Sequence, residues 1–226
     1  MGEVNIKPFK DLTLTPIQRF IFDEFSKEKR LAKQFYFTGG TALSGAYLKH
    51  RESEDLDFFS ETDFDKEIVD SFVQKIAKTR DFQIRLTQKE RTRTYELVES
   101  NKVKIKIDFA FYPYKRLKKS LIISGVKVDS LFDIATNKLQ TITSRTEVKD
   151  FVDLYFLLKK FTLWDLMYAV KEKFRLEIDL IWLGSDFLKV EKFENLPKML
   201  IPFSLKDMQD FYKEKAKELG ISVTKQ

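Results

Sequence analysis

Between Leu14 and Gln34, the apolar residues Ile17, Phe20, Ile21 and Phe25 recur at helical spacing, which predicts one long amphipathic helix. FYFT, residues 35–38, follows as a short apolar run of strand type. Gly39 and Gly40 interrupt it, and TALSGAYLKH predicts a helix that opens directly from the glycine turn. LDFFS predicts a second strand and EIVDSFVQKIAK a further helix. The period then drops to two through FQIRLTQ, RTYELVE, VKIKIDFAF and SLIISGVKV, which predicts a run of strands. From Ser130 onward the helical period returns in LFDIATNKLQTITSR, VKDFVDLYFLLKKF, LWDLMYAVKEKF and a last helix beginning near Leu205, with Pro197 and Pro202 as breaks. The pattern therefore divides into a mixed α/β half, residues 1–129, and a helical half, residues 130–226.

Polar residues that fall on ordered elements carry the chemistry. A strand-to-helix turn of two glycines lets backbone approach a ligand, and the helix that follows offers free N–H groups to a phosphate; a plain tight turn explains the same pair. In EDLDFF, strand alternation sends Leu56 and Phe58 one way and Asp55 and Asp57 the other. Their Cα atoms then lie about 6 to 7 Å apart, which suits two metal ions about 3.5 to 4 Å from each other. Val103, Ile105, Ile107, Phe109 and Phe111 form an apolar row that leaves Asp108 on the opposite face beside Lys104 and Lys106. Asp63 and Asp65 also read Asp-x-Asp, but they sit where a helix begins and predict a cap.

In the helical half, Lys138 falls inside the stripe Leu131, Ile134, Ala135, Leu139 and Ile142, so its ammonium must either snorkel to water or meet an anion, a triphosphate or a carboxylate cluster. Asp150 and Asp153 lie one turn apart and share a helix face. His50 ends the predicted second helix, where it would cap the C-terminus or touch a phosphate.

Composition narrows the cofactor and the partner. With no cysteine and one histidine in 226 residues, sulfur and multi-histidine metal sites are excluded, and a metal has to be held by carboxylates, which favours magnesium or manganese. The absence of a long apolar run or a leader-like N-terminus predicts a cytoplasmic protein that does not enter a membrane. Net charge +6, with the clusters KERTR (89–93) and KRLKK (115–119), favours a polyanionic partner.

As a set, GGTAL, HRESEDLDFF, KIDFAF, DIATNKLQTITSR and KDFVDLYFLL resemble the AbiEii/AbiGii-type toxin nucleotidyltransferases of the polymerase-beta-like superfamily, over about residues 35–160. The superfamily's Gly-Ser turn is Gly40-Thr41 here, so the hydroxyl is kept on a different residue. The resemblance implies an α+β nucleotidyltransferase fold, a small mixed β-sheet flanked by helices and followed by a helical C-terminal half. It implies NTP as substrate with Mg2+ or Mn2+, and transfer of an NMP to an acceptor hydroxyl, tRNA or another RNA being the expected acceptor. A toxin-antitoxin or phage-defence role with a cognate antitoxin follows from the same likeness. By the same resemblance Asp55 and Asp57 hold metal, Asp108 is a third metal ligand or a base, Lys138 meets the triphosphate, and Asp150 or Asp153 is the last acidic position, Asp150 being favoured. Gly39, Gly40, Thr41, Arg51 and Ser53 line the nucleotide or hold its loop. A degenerate, non-catalytic module that binds RNA or a partner protein is the alternative.

Overall fold

The computed structural model describes residues 12–224, with side chains to residue 220. They form two compact units, one of residues 12–49 and 53–130, the other of residues 50–52 and 131–224.

The first unit is built on a sheet. Helix α1 (Pro16–Lys27) starts from a reciprocal cap: Thr15 accepts from the Gln18 N–H and the Gln18 side chain accepts from the Thr15 N–H, with Pro16 in the first turn. The single helix expected to Gln34 is two, because Glu28 leaves helical geometry and α2 (Lys29–Gln34) restarts after it. Phe25, Leu31 and Ala32 are buried on either side of the break, so the apolar period runs through it unchanged and gives no sign of it. Strand β1 (Tyr36–Thr38) runs into the short helix α3 (Gly39–Leu43), whose continuation Ser44–Leu48 widens into a π-helical turn rather than the plain helix expected. Then come β2 (Leu56–Ser60), α4 (Lys66–Arg80), β3 (Gln83–Gln88), β4 (Thr92–Glu99), β5 (Lys102–Phe111), β6 (Leu121–Ile123) and β7 (Val126–Val128). Among the described residues these strands make one mixed sheet in the order β3-β4-β5-β2-β1-β7-β6.

Two pairings position the site. Strand β2 is parallel to β5 with Asp57 directly opposite Asp108, and antiparallel to β1 with Asp57 opposite Thr38. The register is held from the other face, where Leu56, Phe58, Ile107 and Phe109 are fully buried. The Phe58 ring stacks between Phe25, 4.1 Å between centroids, and Phe109, 5.3 Å. Each such ring contributes about 1.5 to 3 kcal/mol by leaving water. A slip of one residue would turn Asp57 inward and Phe58 outward, so burial of these rings fixes where the carboxylates point.

The second unit is helical: α5 (Leu131–Ser144), α6 (Val148–Leu158), α7 (Leu163–Phe174), α8 (Leu180–Leu188), a 3-10 turn Lys189–Lys192 and α9 (Leu205–Thr224). Helix α8 has no counterpart among the predicted elements. LIWLGSDFL is apolar on most sides, so no helical stripe stands out, yet the Asp179 side chain caps it by accepting from the N–H groups of Ile181 and Trp182. Residues 50–52 join this unit by backbone pairing: the Glu52 N–H donates to the Lys198 carbonyl at 2.8 Å and the Leu200 N–H to the His50 carbonyl at 2.9 Å.

Candidate active site

In the sheet unit, Asp57 and Asp108 lie side by side on parallel strands, and Asp55 stands just before β2. The Asp57 carboxylate packs against Gly39, whose φ is +75°; a Cβ at Gly39 would fall on that carboxylate, 2.7 Å from its Cγ. Gly39 of the glycine turn and Asp57 of the acidic pair, eighteen positions apart in sequence, are thus in contact. Thr41 ties down the loop between them: its hydroxyl bonds the Asp55 carbonyl and lies 2.9 Å from the Ser53 hydroxyl. The Gln18 side chain donates to the Ser53 carbonyl at 2.7 Å.

Lys106, which sequence reasoning noted beside Asp108 but gave no role, enters this group. Its ammonium is 2.9 Å from Asp108 Oδ2 and 3.8 Å from Asp55 Oδ2. Burial works to lower its pKa, but the hydrogen bond to Asp108 and the charges of Asp108, Asp55 and Asp57 hold it above the ordinary lysine value. The signal was the spacing: Lys106 and Asp108 are two apart on β5 and share a face. Asp108 Oδ1 is buried and has no hydrogen-bond partner among the described residues. Among those residues no three His, Cys, Asp or Glu side chains are gathered as they stand to hold a metal ion. The donor chemistry still fits a hard divalent cation, since every donor is a carboxylate oxygen, one buried oxygen lacks a partner, and a cation is already drawn to the set.

Lys138, Asp150 and Asp153 meet in the helical unit. The Lys138 ammonium is 2.6 Å from Asp150 Oδ1 and 2.6 Å from Asp153 Oδ2, so of the two alternatives for a lysine in an apolar stripe it meets an anion, a pair of carboxylates. Arg51 donates through Nε at 2.7 Å and Nη2 at 2.8 Å to the two oxygens of Asp153, and Arg145 Nε donates to Asp150 Oδ2 at 2.7 Å. His50 is fully buried with Nε2 2.7 Å from Asp153 Oδ1, so its ring binds this carboxylate instead of capping a helix. Burial opposes ionisation of both aspartates, but Lys138 and Arg145 hold Asp150 below the usual carboxylate range, and Lys138, His50 and Arg51 hold Asp153 well below it. The same two carboxylates raise the Lys138 ammonium above the usual lysine value against its own burial.

The remaining polar motifs serve the fold at several points. Asp65 caps α4 through the Glu67 N–H, as its place in the first turn predicts. Of the basic clusters, Arg93 is buried and bound to both oxygens of Asp70, at 2.6 and 2.7 Å, and Arg116 is bound to Glu61 at 2.8 Å. Both guanidiniums are thus already held by a carboxylate. Lys89, Arg91, Lys115, Lys118 and Lys119 are exposed. No helix among the described residues is long and apolar enough to cross a membrane.

Comparison with known proteins follows the same lines. The family model described as "Nucleotidyl transferase AbiEii toxin, Type IV TA system" matches residues 20–218. The protein aq_aa25 of Aquifex aeolicus is 32% identical over 201 residues, which cover 83% of this chain and 89% of that protein. Among solved structures, JHP933 from Helicobacter pylori aligns with TM-score 0.54 at 21% identity, covering 94% of this chain and 96% of its own. MenT4, a nucleotidyltransferase toxin from Mycobacterium tuberculosis, aligns with TM-score 0.53 at 14% identity, covering 92% and 90%. At these identities the two structures speak to the fold, a nucleotidyltransferase fold.

Proposed function

Because the chain belongs to the AbiEii nucleotidyltransferase toxin family, we propose that it moves an NMP from an NTP to an acceptor hydroxyl with the help of a divalent metal, at the carboxylates Asp55, Asp57 and Asp108. The observation that carries this is the side-by-side placement of Asp57 and Asp108, with Gly39 leaving room for one carboxylate and Asp108 Oδ1 unpaired. Asp55 and Asp57 would hold Mg2+ or Mn2+, with Asp108 as third ligand or base. The bound ion supplies Lewis acidity, polarising phosphate oxygens and easing deprotonation of the attacking hydroxyl. Where Asp108 acts as the base, its carboxylate would take that proton. The acceptor oxygen bonds to the α-phosphorus as the bond from α-phosphorus to the bridging oxygen breaks, and pyrophosphate leaves. Backbone at Gly39, Gly40 and Thr41 would lie along the phosphates, with Ser53 holding the loop.

Lys138 we assign to positioning. Its ammonium is already committed to Asp150 and Asp153, and Asp153 in turn grips Arg51, one residue from the segment 53–57 in sequence. In this reading the network holds Arg51 in place within the helical unit, and Asp153, the carboxylate that binds Arg51, is the more consequential of the two acids.

For the acceptor we propose RNA, the end of tRNA first, in the cytoplasm, and for the biological setting a toxin restrained by a cognate antitoxin. The net charge of +6 and the exposed lysines of the 115–119 loop support a polyanionic acceptor. The deciding experiment incubates the protein with each labelled NTP, magnesium and total RNA. Label should appear in a tRNA-sized band with wild type and vanish with Asp57→Asn. Label on protein instead would overturn the RNA assignment, and labelling that survives Asp57→Asn would overturn the site.

A further inference from the structure

We propose that Lys106 is the built-in cation of the carboxylate site, holding Asp108 until a divalent metal arrives together with nucleotide phosphates and so setting the order of binding. This rests on the metal-dependent reading above. Three observations carry it. Directly across from Lys106 on β4 stands Glu96, a carboxylate within the reach of an ordinary cross-strand pair. The ammonium is bound instead at 2.9 Å to Asp108 Oδ2 and drawn to Asp55 Oδ2 at 3.8 Å. The other oxygen of Asp108 is buried with no hydrogen-bond partner among the described residues. Asp108 and Asp55 are therefore both drawn to a positive charge of their own chain, and the Asp108 oxygen that it does not reach is left bare.

Counting charges shows what this does to metal binding. Asp55, Asp57 and Asp108 against one ammonium leave a formal −2, which a single divalent ion cancels; a second ion would have to enter a site with no charge left to offset it. The ammonium also competes with an incoming metal for Asp108 Oδ2. Metal without nucleotide is thus disfavoured, whereas an NTP brings negative phosphates that restore the deficit. A lysine suits the task because its four-carbon stem is flexible and its side chain, 35% exposed, has water to swing into.

The test is direct binding of Mn2+ without nucleotide, followed by electron paramagnetic resonance, to wild type, Lys106→Met and Lys106→Arg. Lys106→Met is expected to bind Mn2+ at least tenfold more tightly than wild type, and Lys106→Arg to stay near wild type because the charge is kept. Adding Asp108→Asn to Lys106→Met should remove the gain. In the presence of a non-hydrolysable NTP the difference between wild type and Lys106→Met should shrink. If Lys106→Met binds Mn2+ no more tightly than wild type while both bind it with NTP, the inference on Lys106 is wrong and the metal reading stands. If none of the proteins binds Mn2+ with or without NTP, both are wrong. Should Lys106→Met fold poorly, Lys106→Gln removes the charge with a polar side chain and is read in the same way.

Discussion

At Gly39 a missing side chain is as specific as any functional group, because its backbone stands at φ +75° and the space a Cβ would take belongs to the Asp57 carboxylate. Gly39→Ala should therefore lose transfer activity by at least about a hundredfold, while the left-handed backbone costs only about 1 to 2 kcal/mol of stability. Turnover and denaturant unfolding measured on one preparation would separate the two effects; equal activity would show that Asp57 can move aside. The two Asp-x-Asp motifs give a sharper contrast. Asp57→Asn should abolish transfer with little change in stability. Asp65→Ala removes a helix cap and should cost about 1 kcal/mol with transfer intact. At this scale much was legible: alternation along β2 and β5 places Asp57 and Asp108 on one face whatever the rest of the chain does. The bond from Lys106 to Asp108 was legible only as a shared face, since alternation says which residues are neighbours and not which acid an ammonium will choose.

The next scale is that of α5 and α6, which are held by a buried network more than by any single contact. Asp153 is fully buried and bound by Arg51, Lys138 and His50. Asp153→Asn leaves Lys138 and Arg51 short of a buried countercharge, and the expected loss is about 3 to 5 kcal/mol. Arg145, 53% exposed at its side chain, binds Asp150 from the solvent side, and Arg145→Ala should cost under about 1 kcal/mol. Urea midpoints of the two variants would check the ranking. The pH dependence follows from the direction of the shifts. Asp150 and Asp153 are depressed in the folded protein, so what they contribute is present above the ordinary aspartate pKa of about 3.9 and is lost as pH falls through their lower folded values. Lys138 is raised, so its share is present below about 10.4 and is lost only as pH rises past its folded value. Unfolding midpoints should thus hold between these limits and drop in strong acid, less steeply in Asp153→Asn. The apolar stripe of α5 predicted that Lys138 needed an anion or an exit to water. It could not name Asp153, fifteen residues away on another helix, nor the break at Glu28, because hydrophobic period records burial and not hydrogen-bond geometry.

For the molecule as a whole, the quantity that matters is where its excess positive charge faces solvent. The net charge of +6 includes guanidiniums that the fold has already used, Arg93 on Asp70 and Arg116 on Glu61, so each cluster offers a phosphate fewer cations than its sequence suggests. Variants of these two arginines would confuse stability with binding. Lys115, Lys118 and Lys119 are exposed and belong to the loop between β5 and β6. If the acceptor is RNA, changing these three lysines to glutamine should weaken RNA labelling at moderate salt. It should also flatten the dependence of log affinity on log salt by up to about 2 units, as each lost phosphate contact on a single strand removes about 0.7. Binding of NTP with magnesium should be unchanged, because in the proposed site it rests on Asp55, Asp57 and Asp108. Arg93→Ala serves as the contrast, with a lower unfolding midpoint and an unchanged salt slope. Filter binding of tRNA across a salt series, beside NTP binding by calorimetry, reads both quantities. An unchanged slope in the triple variant would move the acceptor surface away from this loop, and RNA labelling indifferent to salt in the wild type would remove the electrostatic ground for an RNA acceptor altogether.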